Sequence, residues 1–434
     1  MRRLSLIISF VFIVSFSTVS YAGFNLGMVD AVKKKVEKLD EKVKGEKGKQ
    51  AEADVEKGKE ALEEAMELLG EGDLNDEAAM QKAKEANGLF KEALKKDPDN
   101  PEANLGAAIT EAMLIGEDEE VKKALEDWLG SDEEGPMMSS PLVPKSLKTS
   151  PKGILTGKAM SNFARAAVND PPTVSELQKI IKDKVIPIVD YIIARFEVLE
   201  NSSWVSTTFE FKDGGAVEKV EVDKTDVYAA DATLQLLKSF LCNICAWDLD
   251  IVYEDFENGD SAEAAIRKII EKQSPYDKFL TLKDTPMLNS SGNSLDAFAA
   301  KLLNAMNSLE NESDDQEHDL IPQPDTFDES WEKTKDAIGQ LRAALDGQET
   351  IDFSDYDPEA TDVPGLTINL AAFFYTNPIQ DLRDKFIPAG IWIWEPEVDF
   401  TEEDLDQDGE TPDFNDPTFN GLLPGMTNKN LKKY

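Results

Sequence analysis

Carboxylates at alternate positions form the sharpest chemical pattern in this chain. Asp404, Asp406 and Asp408 alternate with Leu405 and Gln407, and Gly409 and Glu410 follow directly. Oxygens so spaced can fill successive vertices around a hard cation, and glycine permits the sharp turn that gathers them. Asp413 and Asp416 lie close enough to complete the shell. The expected ligand is calcium in a structural role, pinning the C-terminal segment. Millimolar calcium outside a cell fills even a weak site of this kind. The plainer expectation for the same residues is a solvated acidic turn.

The loop resembles the opening of EF-hand and related calcium loops. Its ninth position is Pro412, and its twelfth, where that family places a bidentate Glu, is Asn415. A calcium loop outside the EF-hand pattern is therefore expected, closed by Asp413 or Asp416.

Other chemistry-bearing groups offer less. Cys242 and Cys245 have C-x-x-C spacing, but they fall mid-helix among Leu236, Leu237, Phe240, Leu241 and Trp247. Reactive pairs sit at a helix N-terminus, where thiolate is stabilised, so small core residues are expected here. The single histidine, His318, lies in a charged loop and reads as a loop residue rather than a base. No G-x-S-x-G, H-E-x-x-H, P-loop or G-x-G-x-x-G pattern occurs. A carboxylate hydrolase needs only two acids at a fixed separation. With 86 acidic residues, the sequence nominates no pair. Phe373, Phe374, Tyr375, Trp392 and Trp394 read first as core packing and second as the lining of a glycan- or lipid-binding groove.

The elements that must position these groups are mostly helical. Residues 51–69 place Val55, Leu62, Ala65, Met66 and Leu69 on one face, and a second helix spans about 76–96. Within it Ala86, Phe90 and Ala93 recur at i, i+4 and i+7, and Pro98 follows. This arrangement resembles the second half of a tetratricopeptide repeat, with Asp97-Pro98-Asp99-Asn100-Pro101 as the turn into the next helix. The early Trp or Tyr of that family is missing, and Asn104 and Glu111 stand where larger residues are expected. The resemblance covers residues 51–129 and implies a protein-interaction scaffold. With one and a half repeats, the unit is expected to pack on the rest of the chain.

Residues 130–153, with Pro136, Pro141, Pro144 and Pro151, read as a linker. A second, irregular helical domain over 154–394 should follow. Its first helix opens on a capping box of Thr173 and Glu176 and kinks at Pro187. A β-hairpin is expected near 204–222, with Val205, Thr207, Phe209 and Phe211 on one side and Asp213-Gly214-Gly215 at the turn. Helices are then expected over 225–248, 261–272, 294–309 and 328–345. Residues 366–374 fit a strand or a helix, and 395–434 read as an acidic, irregular segment.

Arg2 and Arg3, an apolar run over 4–19 and Ser20-Tyr21-Ala22 have the order of a secretory signal peptide cut after residue 22. The expected location is the periplasm or outside the cell. Residues 24–50 form a helical, heptad-like segment. In it Val29, Val32, Val36, Leu39 and Val43 make a short seam, either docked on a neighbour or used for self-association. A formal charge of −40 disfavours nucleic acid and anionic lipid and favours cations and basic partners. No segment after the signal is expected to span a membrane. The sequence thus points to a mainly α, exported, non-catalytic adaptor for a protein partner. A glycan- or lipid-binding protein is the alternative, and a carboxylate hydrolase is the third reading.

Overall fold

The computed structural model describes residues 46–71, 77–121, 174–213, 216–250, 259–313, 318–323, 326–327, 329–351, 365–386 and 414–431. The expected signal peptide, heptad seam, linker, Thr173 cap, 404–413 loop, Trp392 and Trp394 lie outside them. Among the described residues the chain is mainly α, with two separate two-stranded antiparallel sheets.

Helices α1 (Glu46–Glu71), α2 (Glu77–Lys96) and α3 (Pro101–Leu114) form the first group. Ala51, Val55 and Leu62 of α1 are buried with Ala86, Phe90 and Ala93 of α2, Met66 packs against them and Ala65 is buried, as expected for that face. Phe90 occupies a socket made by two glycines. A Cβ on Gly58 would stand 2.8 Å from its ring, and one on Gly106 would stand 2.2 Å away. Helix α3 starts where the sequence signals it: Asn100 Oδ1 accepts from Ala103 N at 2.9 Å, with Pro101 in the first turn.

The two residues that depart from the repeat pattern have local reasons. Asn104 is fully buried. Its Nδ2 donates to Pro98 O at 2.9 Å and to Asn100 O at 2.8 Å, and its Oδ1 accepts from Arg195 at 3.2 Å. A larger apolar residue would take this donor from the Pro98 carbonyl and leave Asn100 O with only the backbone N–H of residue 104. Glu111 accepts from Asn87 at 2.5 Å and pairs with Lys91 at 2.9 Å.

Helix α4 (Val174–Ile180), a widened π turn (Ile181–Val185) and α5 (Ile186–Asn201) run in succession. The π turn, closed by Ile186 N–H on Ile181 O, is the distortion that Pro187 imposes. Proline lacks an N–H, and its ring crowds the carbonyl four residues earlier. Strands β1 (Ser206–Asp213) and β2 (Ala216–Asp223) then pair across a two-residue connection, with Thr207 opposite Val222 and Phe209 opposite Val220. Thr207 and Phe209 face inward as expected. Val205 does not share that face: it precedes the strand and is 57% exposed. Trp204 instead turns in and donates from its indole to Thr207 Oγ1 at 3.0 Å.

The first core does not stop at residue 121. Ile192, Phe196 and Leu199 of α5, together with Trp204, Phe209 and Val227, are buried in the same apolar cluster as Phe90 and Leu105. Helices α1 to α3 therefore share one apolar core with the hairpin and α5.

Helix α6 (Lys224–Ala246) opens with a reciprocal Asp223–Asp226 capping box. Helix α7 (Gly259–Ile270) follows, and α8 (Thr285–Asn311) packs along α6. Helix α8 begins nine residues before the expected 294, capped by Asp284, whose Oδ1 accepts from Met287 N at 3.1 Å. The polar run 289–294 reads as loop in sequence, but Ser291 and Ser294 are buried small residues. Ser291 donates to Ser239 O of α6 at 2.8 Å. Helix α9 (Glu329–Asp346) precedes β3 (Glu349–Ile351), which pairs with β4 (Leu366–Ile368). The ambiguous segment 366–374 is thus a strand leading into a π turn (Ala372–Thr376). Short helices α10 (Arg383–Phe386) and α11 (Asn428–Leu431) complete the order. Residues 414–431, expected to be acidic and irregular, are held by Phe419, Leu423 and Met426 against Ala344, Leu366 and Ile368.

Candidate functional site

A trough of about 530 Å³ lies between α1 and the solvent face of the hairpin. Glu56, Lys59, Glu60 and Glu63 form one wall, at three- and four-residue spacing on the side of α1 turned away from Phe90. Thr208, Glu210 and Lys219 form the floor, and His318 stands at the rim. Glu63 Oε1 accepts from Glu210 N at 2.9 Å, so a carboxylate covers part of the open edge of β1. On the other edge, Glu221 N donates to His318 O at 2.8 Å and Leu320 N donates to Glu221 O at 3.2 Å. Lys219 is paired with Glu210 at 2.5 Å, and Lys59 Nζ lies 5.8 Å from the Phe209 ring centroid. Hydrogen bonding to Lys219 holds the Glu210 carboxyl below its ordinary range. Glu56, Glu60, Glu63 and Glu210 outnumber Lys59 and Lys219 along the lining, so the trough is net acidic.

A second constellation is sealed. Glu200 at the end of α5, Asp231 of α6 and Lys301 of α8 meet in the interior. Lys301 Nζ is 2.8 Å from Asp231 and is bonded to Glu200. Asp231 is fully buried, and Gln235 donates to its Oδ1 at 3.3 Å. Burial pushes the Glu200 carboxyl up to about 7; Lys301 opposes the rise, and Asp231 adds to it. Burial also works against the charged Lys301, but its bonds to Asp231 and Glu200 outweigh that and hold it above its ordinary value. Nearby, burial pushes Asp226 up to about 8, with Asp223 and Asp319 contributing. The acids of the trio are in contact with one lysine rather than set apart across an open cleft, which is the arrangement a glycosidase pair requires.

Of the calcium set, Asp404, Asp406, Asp408, Glu410 and Asp413 lie outside the described residues. Asp416 is described, and its carboxylate is already engaged. Oδ2 accepts from Lys385 at 2.7 Å and Asn420 N at 2.8 Å; Oδ1 accepts from Thr418 N at 3.1 Å and its hydroxyl at 2.5 Å. Burial would raise Asp416, but these bonds, led by Lys385, hold it well below the usual carboxylate range. Among the described residues no group of three or more His, Cys, Asp or Glu is arranged to hold a metal, and no helix is long and apolar enough to cross a membrane.

Cys242 and Cys245 are buried free thiols, pushed up to about 11 by burial, in keeping with their reading as core residues. Phe374 is buried, with Phe373 and Tyr375 packed beside it around Trp247. These three aromatics belong to the core rather than to a groove. A smaller cleft of about 310 Å³, lined by Thr376, Asn377, Asp381, Asp384 and Asn420, adjoins buried Arg383. The Arg383 guanidinium donates to Tyr276 O at 2.7 Å, Asp277 O at 2.9 Å and Asp381, stapling the 271–281 loop to α10. Comparison with family models, with curated proteins and with solved structures found no match.

Proposed function

We propose that this chain is an exported, non-catalytic binding protein that holds a basic segment of a protein partner in the trough between the repeat-like unit and the hairpin. One observation supports this reading above the others. The trough is open to solvent and lined by Glu56, Glu60 and Glu63, whereas Glu200, Asp231 and Asp226 are sealed inside. Charge complementarity of this kind speeds encounter and selects against acidic partners.

The test must separate a site from the general pull of a chain with a charge of −40. A short Lys- and Arg-rich peptide, followed by fluorescence anisotropy, should bind wild type and weaken several-fold in Glu56→Lys/Glu60→Lys. An equal charge reversal at exposed Glu85 and Glu92 on α2 should leave most of the binding. Equal loss in both variants would reduce the interaction to non-specific charge and sink the trough as a site.

A structural calcium site in the 404–410 loop belongs to the same reading. Melting temperature is expected to rise in millimolar calcium but not magnesium, and the rise should vanish in Asp406→Ala. An equal response to both ions, or none, leaves the loop an acidic turn.

A further inference from the structure

The trio of Glu200, Asp231 and Lys301 lies where the chain leaves a helix for the hairpin. Glu200 is the penultimate residue of α5. After it Ser202 closes the helix end, with its Oγ donating to Leu199 O at 2.8 Å and accepting from Trp204 N at 3.1 Å. Lys224, at the start of α6, donates to Ser202 O at 2.8 Å and Glu200 O at 3.3 Å, so both ends of the hairpin are tied to this point.

The interior charge there is unbalanced. Two carboxylates share one ammonium, and the Glu200 and Lys301 side chains are only 7% and 16% exposed. The facing titratable groups are Asp231, Tyr228 and Lys224 from α6 and Lys301 from α8. The Lys224 ammonium is engaged with backbone carbonyls, and burial raises the Tyr228 phenol, leaving it neutral. Glu200 Oε1 is buried with no hydrogen-bond partner, so the charge of this carboxylate is incompletely compensated. One proton held on Glu200 makes the trio neutral and removes the repulsion from Asp231.

We propose that Glu200, Asp231 and Lys301 form a proton-loaded latch that fixes the junction between α5 and the hairpin while the trio is neutral, and loosens it when the proton leaves. No covalent step is involved: the proton passes to solvent as the junction opens, and an unpaired interior carboxylate gains hydration.

The sign follows from the direction of the shift. Glu200 moves from its ordinary 4.5 up to about 7, so the closed state holds a proton that the open state releases. Protection is greatest on the acid side and is lost as pH rises toward 7. Hydrogen exchange of the full chain, read by mass spectrometry over residues 196–213 and 216–226, measures it. After correction for intrinsic exchange, wild-type opening should rise by up to about tenfold per pH unit between about 5 and 7, then level off. Glu200→Gln, neutral at every pH, should flatten the profile. Asp231→Asn should flatten it too, because Glu200 and Lys301 are then a balanced pair; this variant serves where the first fails to fold. A flat wild-type profile overturns the latch. A slope kept in both variants also overturns it, and moves the titration to Asp226.

Discussion

Phe90→Ala should lower the unfolding free energy by about 3–5 kcal/mol, the range for emptying a fully buried aromatic site. The ring joins α1, α2 and α3 and sits in the cluster that also takes in Phe196, Trp204 and Phe209. Collapse around the vacancy is restricted, because the socket walls are helix backbone at Gly58 and Gly106. The same geometry sets a coupling. Gly106→Ala alone should destabilise, since the new methyl would meet ring carbons at 2.2–2.4 Å, although alanine ordinarily gains about 1 kcal/mol over glycine within a helix. In the Phe90→Ala background that methyl enters empty space, and the substitution should be neutral or stabilising. Denaturant unfolding of the four proteins gives the cycle. Additive effects, or a loss below about 1 kcal/mol for Phe90→Ala, would mean the helices meet without the socket described.

Lys301→Met should cost about 3–5 kcal/mol at neutral pH, the range for breaking a buried ion pair from one side. The loss comes from the carboxylates left behind: Asp231 is fully buried, and Glu200 is nearly so. Two consequences separate this from a simple packing defect. The cost should shrink toward pH 5, where the abandoned acids take up protons more readily. Adding Glu200→Gln and Asp231→Asn to Lys301→Met should recover most of the loss, because a neutral trio has no charge to solvate. Denaturation of the single and triple variants at two pH values decides it. A triple variant no more stable than the single one would show that the lysine stem, not its charge, holds α8 in place.

Most helices were legible because their apolar spacing is periodic over several turns, and α2 was legible to within one residue at each end. The hairpin was marked by Asp213-Gly214-Gly215, a signal of local turn chemistry. The start of α8 was hidden because residues 289–294 are polar, and their role is to let two helices approach through Ser239 and Ser291. The trio was hidden for a related reason. Lys301 between Ala300 and Leu302, and Asp231 between Ala230 and Ala232, are single charges in apolar helix text, and their meeting depends on how three distant helices are placed. The trough residues of α1, three glutamates and one lysine, read in sequence as an ordinary solvated helix face. Only the position of the hairpin beside α1 makes them a concavity.

The cluster shared by Phe90, Ile192 and Phe209 also has a consequence for the order of folding. A chain made from its N-terminus presents α1 to α3 long before residues 192–227 exist. At ordinary synthesis rates the interval is roughly 5–20 s. Through that interval the surface meant for Ile192, Phe196, Trp204 and Phe209 lacks those partners. Helices α1 to α3 are therefore expected to complete their packing only after residues 192–227 have emerged. Until then the apolar faces of these helices are open to chaperones that bind exposed hydrophobic surface.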